Sequence, residues 1–168
     1  MPQKETKNCS ADFLKEPVIS EREKYKNYIQ NNESVLQLKE KVREVVTAKG
    51  LGSIMNDTKW LRLQKAIEQL PFPPPYIDKL VLEDRKFEDV QINYIPRWIG
   101  DWSPFYTEGM SLFFTIEYIK VKPLYGEFRG QLIAPKIFDE TIAFEQLLKD
   151  NNIPYEEDNG TFIIYGYK

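Results

Sequence analysis

The sequence predicts an α+β fold in which N-terminal helices precede a mainly antiparallel sheet that carries one packed helix and ends in a β-hairpin. Two observations support this prediction. Apolar residues recur with a helical period up to about residue 70, and with a period of two after the proline-rich segment 71–75. The dipeptide Asn159-Gly160 stands between two strand-like runs, which is the commonest pattern for a two-residue hairpin turn.

The first part of the chain is expected to form three helices, near residues 21–31, 35–49 and 56–70. Ser20 with Glu23 and Ser34 with Gln37 have the spacing of a capping box, in which two side chains satisfy the first backbone N–H groups of a helix. Gly50 stands where a glycine commonly ends a helix. The third helix is expected to start at an asparagine or aspartate cap at 56 or 57.

The second part of the chain is expected to form strands, within residues 77–82, 90–94, 112–122 and 155–167. In the second of these, Val90, Ile92 and Tyr94 alternate with polar residues, as in a half-buried strand. The third is the richest in aromatic and β-branched residues. A helix within residues 135–152, with Asp139 as its cap, is expected to pack on the sheet.

The length of 168 residues suits one domain, predicted to span residues 20–168, with a helical part at 20–70 and a sheet part at 76–168. Residues 1–19 are expected to form a flexible tail. Cys9 is the only cysteine, so no intramolecular disulfide is possible. Because no signal peptide is recognised and no apolar run approaches the ~18 residues of a membrane span, we expect a cytoplasmic protein without a membrane partner.

The sequence contains no histidine, which removes serine–histidine and cysteine–histidine nucleophilic systems and histidine-containing zinc sites. No cofactor, metal site or catalytic residue is predicted. The 23 basic residues are balanced by 26 acidic ones, giving a net charge of −3. Because binding to nucleic acid depends on phosphate neutralisation by a basic excess or stripe, we expect no nucleic-acid partner.

Carboxylate side chains are the remaining candidates for catalytic residues. A carboxylate- or magnesium-dependent hydrolase would require two or more of Asp101, Glu108 and Glu117 to converge in a pocket. Glu117 is expected on the solvent-facing side of its strand. Lys120, three residues later, should point to the opposite face, so the two cannot act as a pair.

The loop at residues 94–106 is rich in the tyrosine, tryptophan and arginine side chains that dominate binding hot spots. Partner-binding residues are predicted here and in a second loop: Arg97, Trp98, Asp101, Trp102, Tyr106 and Arg129. Alternatively, Trp98 and Trp102 fold back over the core, and Arg129 is an ordinary loop arginine.

Five strings together resemble an uncharacterised bacterial family that is described only as a domain of unknown function. They are residues 55–60 (MNDTKW), 70–76 (LPFPPPY), 100–102 (GDW), 129–135 (RGQLIAP) and 164–167 (IYGY). The resemblance covers roughly residues 35–168. It implies a small cytoplasmic bacterial protein, some relatives of which accompany toxin–immunity genes, and it brings no catalytic residues with it.

These observations favour a non-catalytic, cytoplasmic protein-binding module, of which an immunity-type inhibitor of a basic toxin is one form. An acidic protein would suit a basic partner such as a nuclease toxin. The hydrolase described above and a structural or assembly protein are the alternatives. The sequence leaves open the partner, the pathway and the oligomeric state.

Overall fold

The computed structural model describes residues 18–168, so Cys9 and almost all of the expected tail lie outside the described residues. The described part of the chain contains α1 (Glu21–Gln30), α2 (Glu33–Ala48), α3 (Asp57–Ile67) and α4 (Thr141–Asp150). It also contains β1 (Tyr76–Leu80), β2 (Ile116–Val121), β3 (Leu124–Glu127), β4 (Lys136–Asp139), β5 (Glu156–Asp158) and β6 (Thr161–Tyr165). The predicted α+β fold is confirmed.

The first two helices begin at polar caps. Ser20 and Glu23 form the expected capping box at the start of α1. At α2 the cap is Asn32, whose side-chain oxygen accepts a hydrogen bond from the Val35 backbone N–H (3.3 Å). The expected capping box at Ser34 is therefore wrong, because Ser34 already lies inside the first turn of the helix.

The end of α2 and the start of α3 follow the sequence. Gly50 has a left-handed φ of +65°, and the Leu51 N–H donates to the Val46 carbonyl at 3.0 Å, which closes the helix end. Asn56 caps α3 by accepting from the Lys59 N–H at 2.9 Å. These local interactions hold the short connection between the two helices in a defined turn.

Four strands form an antiparallel sheet in the order β1-β2-β6-β5, while β3 and β4 pair as a separate hairpin. The predicted C-terminal hairpin is confirmed. Asn159 and Gly160 join β5 to β6 with φ values of +50° and +74°. Positive φ at both central residues is what a type I′ turn requires. Across residues 18–168, no helix combines the length and apolar composition needed to cross a membrane.

The strand predicted at residues 90–94 is wrong. This segment is irregular, with bends at Val90 and Tyr94, and is not paired with a strand. Val90 and Ile92 are nevertheless buried, and Val90 packs with Tyr118 and Ile163 on the face of the sheet opposite the helices. Tyr94 is 58% accessible, so the expected alternation extends only over the first two apolar residues. Their burial arises because the segment lies against the sheet, and it requires no hydrogen-bonded neighbour.

The strand predicted at residues 112–122 is shorter than expected, because it begins with a 3-10 turn at Phe113–Thr115. The Phe113 N–H donates to the Tyr25 hydroxyl at 2.9 Å. The Phe113 ring stacks on Tyr25, with centroids 4.6 Å apart, and on Trp60, at 5.9 Å. Contacts with α1 and α3 therefore set the conformation of this segment before β2 begins.

Helices and sheet share one hydrophobic core. Trp60 and Leu63 of α3 and Phe144 of α4 are buried against Ile119 of β2 and Ile164 of β6. This packing places the helices on one face of the four-stranded sheet. The opposite face is covered in part by the loop segment that contains Val90.

A close approach between two backbone segments ties the C-terminus to β2. The Glu117 carbonyl accepts hydrogen bonds from the N–H groups of Gly166 (2.8 Å) and Tyr167 (3.0 Å). A Cβ atom on Gly166 would lie 2.1 Å from the Ile116 carbonyl oxygen, which no side chain can tolerate. The glycine of the closing Tyr-Gly-Tyr string is thus required by the packing of the backbone.

We predict that Gly166→Ala destabilises the protein by about 1–3 kcal/mol, because the added methyl group must displace a backbone carbonyl rather than a flexible side chain. Gly52→Ala is the matched control, since its Cβ would make only an ordinary contact, 3.5 Å from the Lys168 carbonyl oxygen. Urea unfolding of both variants measures the difference. Equal unfolding midpoints for the two variants would contradict the steric argument.

Candidate functional site

The six predicted partner-binding residues do not form one surface. Trp102 is buried, whereas the other five are exposed, with 36% of Trp98 and 37% of Tyr106 accessible. Asp101 and Tyr106 nevertheless use their polar groups in hydrogen bonds within the fold.

Trp102 belongs to the core. Its indole N–H donates to the Pro74 carbonyl at 2.8 Å, and its ring packs on Tyr76 with centroids 4.6 Å apart. A Cβ on Gly100 would lie 2.2 Å from the same Pro74 oxygen. The Tyr76 hydroxyl in turn donates to the Asp101 carbonyl at 2.6 Å. Trp102 therefore takes the core position that the sequence offered as an alternative, and it joins this loop to the proline-rich segment.

Asp101 and Tyr106 hold the same loop in place. The Asp101 carboxylate accepts from the Ser103 N–H at 3.0 Å, as in an Asx turn. The Tyr106 hydroxyl donates to the Glu21 carboxylate of α1. Burial, followed by the hydrogen bond to Glu21, raises the pKa of Tyr106 to about 12. Both polar groups are therefore engaged within the chain.

Three exposed apolar side chains lie together at the tip of the β3–β4 hairpin. Leu132 is 99% accessible, and more than half of Phe128 and of Ile133 is also accessible. We call Phe128, Leu132 and Ile133 the apolar tip. Gly130 has a φ of +128°, a conformation that favours glycine and shapes the turn.

Two of the predicted residues adjoin the apolar tip. Arg129 follows Phe128 directly, and the Arg97 guanidinium lies 5.9 Å from the centre of the Phe128 ring. Arg97 also lines a recess of about 500 Å³ together with Phe128 and residues 130–135. The Gly126 N–H donates to the Pro96 carbonyl at 2.8 Å, which fastens the loop that carries Arg97 to β3.

Sequence reasoning missed the apolar tip itself. The pattern that could have revealed it is the run Leu132–Ala134, which lies in a short segment between Gly130 and Pro135. A three-residue apolar run within a turn-forming segment cannot reach the core easily. Such a run therefore predicts exposed apolar surface.

Two acids of the hydrolase alternative, Asp101 and Glu117, lie at opposite ends of β1. The third, Glu108, is exposed in a left-handed backbone conformation. Asp101 contacts Tyr76 at the first residue of β1, whereas Glu117 lies near Leu80 at the last. Glu117 pairs with the buried Lys79 and lies 3.8 Å from Lys49, so its expected solvent-facing position is wrong. Among residues 18–168, no group of three or more acidic or cysteine side chains could hold a metal ion.

Glu140 is a buried carboxyl group at the start of α4. One carboxylate oxygen accepts a long hydrogen bond from the Phe72 N–H (3.5 Å), while the other finds no partner among the described residues. Burial raises the pKa of Glu140 to about 7, because the charged form is poorly solvated there. The neighbouring Asp139 is exposed and instead accepts from the Thr141 N–H at 2.9 Å.

The model of a family of unknown function (DUF6678) matches residues 42–168, which is more than half of the chain. The match covers the proline-rich segment, the β3–β4 hairpin and the C-terminal hairpin. No curated protein and no solved structure matches the chain.

We predict that Glu140→Gln changes how stability depends on pH. Because the folded-state pKa of about 7 exceeds the ordinary glutamate pKa of 4.5, the folded protein holds a proton that the unfolded chain releases between these values. The free energy of unfolding should therefore fall by on the order of 2 kcal/mol as the pH rises from about 4.5 to above 7. The neutral glutamine variant should lack this decrease.

Urea unfolding across pH 4–8 measures this effect, with Glu44→Gln, at an exposed position of α2, as the matched control. The control should keep the pH dependence of the wild-type protein. Identical pH profiles for Glu140→Gln and wild type would show that Glu140 is not the group responsible.

Proposed function

This chain belongs to the DUF6678 family of unknown function, and we propose that it is a non-catalytic protein-binding module of the cytoplasm that binds its partner through the apolar tip. The observation that supports this most directly is Leu132, which is 99% accessible at the end of a hairpin. Exposed apolar clusters commonly mark interaction surfaces, because burying them against a partner is favourable.

The position of the apolar tip suits recognition. Residues 128–135 connect two paired strands, so the tip stands on a regular hairpin. The hydrogen bond between Gly126 and Pro96 adds a second attachment. Loops that are held by a rigid scaffold lose little conformational entropy when they bind, and function often collects on them.

Charge around the apolar tip indicates what kind of partner fits. Arg97, Arg129 and Lys136 are exposed beside it, whereas Glu127 is the one acidic residue in or next to residues 128–135. An arginine can bind a carboxylate through two parallel hydrogen bonds. The complementary partner is therefore a protein with an apolar pocket bordered by acidic side chains.

An immunity-type toxin inhibitor is one specific form of this proposal. The resemblance to proteins that accompany toxin–immunity genes supports it, as does the fact that an inhibitor needs only to occlude its target. The net charge of −3 would suit a basic toxin. The basic residues beside the apolar tip, however, favour contact with an acidic face of such a toxin.

We predict that Leu132→Ser/Ile133→Ser weakens partner binding at least about tenfold, because burying one leucine or isoleucine side chain contributes roughly 1.5–3 kcal/mol and about 1.4 kcal/mol is tenfold in affinity. The immobilised protein is used to isolate a stoichiometric partner from the native host, and affinities are then measured with the purified partner. Ile142→Ser is the matched control, since Ile142 is 85% accessible but lies on α4.

The double variant and the control should both unfold at the same urea concentration as the wild type, because the substituted side chains are largely exposed. Light scattering shows whether the retained partner is a second copy of this chain. The proposal is overturned if no stoichiometric partner is retained, or if the double variant binds as tightly as Ile142→Ser.

A further inference from the structure

A second surface feature lies on the face of the sheet opposite the helices. Residues 87–95 cross this face and leave a cleft of about 600 Å³ between themselves, the end of β2 and the C-terminal hairpin. The cleft is within the size range of small-molecule sites. Aromatic, basic and uncharged polar residues line the cleft, among them Phe87, Asn93, Tyr94, Lys120, Lys122 and Thr161.

Lys120 is an unusual residue for this position, because it is only 5% accessible. Its ammonium group donates to the Phe87 carbonyl at 2.8 Å and lies 3.5 Å from the centre of the Phe87 ring. Burial lowers the pKa of Lys120, while the charges of Asp158 and Glu88 oppose this effect. The lysine is therefore positioned inside the cleft rather than extended into solvent.

The positive charge of Lys120 is incompletely satisfied. An ammonium group has three N–H donors, and the Phe87 carbonyl takes one of them. In the described part of the chain, Lys120 makes no ion pair with a carboxylate, in contrast to Lys79 on β1, which pairs with Glu117. A buried charge is costly unless it is paired, so an anion in the cleft would be bound favourably.

Lys122 adds a second positive charge to the same cleft. Lys120 and Lys122 are two residues apart, so they point to the same face of the extended chain. The Lys122 ammonium donates to the Asn159 carbonyl at 3.1 Å, which holds it beside the hairpin turn. Asn93 and Thr161 contribute uncharged polar groups, and Asp158 is the one acid in the lining.

We propose that this cleft binds a small organic anion, with a carboxylate or phosphate group held by Lys120 and Lys122. The aromatic rings of Phe87 and Tyr94 supply an apolar wall for the body of the ligand. This inference goes beyond the proposed function, because the residues that hold the anion are not those of the apolar tip.

Phenyl phosphate is the first probe, titrated into ¹⁵N-labelled full-length protein and followed by NMR. We expect shifts concentrated at the backbone amides of Asn93, Lys120 and Thr161, with saturation below about 10 mM. Benzoate distinguishes a carboxylate site from a phosphate site by its relative affinity. Benzyl alcohol, a neutral analogue, should bind at least about tenfold more weakly, because it lacks the charge.

Lys120→Met should weaken binding of phenyl phosphate at least about tenfold, since methionine keeps an apolar stem but removes the charge. Lys41→Met, on an exposed position of α2, is the matched control and should bind as the wild type does. If Lys120→Met does not fold, Lys122→Gln provides the same comparison at a less buried site. The NMR spectrum of each variant reports its fold directly.

Three results would overturn the proposal. The first is an absence of shifts in the cleft up to about 10 mM phenyl phosphate. The second is equal weakening by Lys41→Met and Lys120→Met, which would indicate nonspecific attraction to lysines. The third is equal affinity for benzyl alcohol, which would show that the charge is irrelevant. None of these results bears on partner binding through the apolar tip, so the two proposals can fail separately.

Discussion

The central strand β2 is buried on both faces and paired on both edges, and most of the structure follows from this constraint. Ile119 and Val121 are fully buried on the helical side, while Tyr118 and Lys120 are nearly inaccessible on the other side. A sheet that is buried on both faces needs two covering layers. The helices supply one layer. The other comes from the irregular segment that includes Val90 and Ile92.

The segment that includes Val90 and Ile92 connects the two proposed sites. It packs on Tyr118, and a cleft lined by Lys120 remains between this segment and the sheet. The same segment then continues to Pro96 and Arg97, which attach it to the β3–β4 hairpin. The same irregular segment thus borders the cleft and contacts the hairpin that carries the apolar tip. The cleft contains positively charged side chains, whereas the apolar tip exposes uncharged side chains at the end of a hairpin.

Local patterns predicted the fold well wherever the determining interaction is itself local. The capping box at Ser20, the helix end at Gly50 and the hairpin turn at Asn159 each depend on residues within five positions. Prediction failed where a distant contact decides the outcome. Residues 90–94 resemble a strand because one side is buried, although the sheet face rather than a strand edge receives them. The sequence left open whether Trp102 binds a partner or joins the core, because the Pro74 carbonyl that accepts its indole N–H is 28 positions away.

The sequence by itself determined the α+β class, the starts of α1 and α3, the end of α2 and the C-terminal hairpin, because periodicity, caps and turn residues act over short distances. It also marked Arg97 as a candidate, since arginine is common in binding hot spots, and Arg129, since an arginine can bind an acidic partner through two hydrogen bonds. Only the tertiary structure decided which aromatic side chains the core absorbs, and that Lys120 is buried without a carboxylate partner among the described residues. Burial and charge pairing depend on which segments meet in space, and segments far apart in the chain meet only after folding.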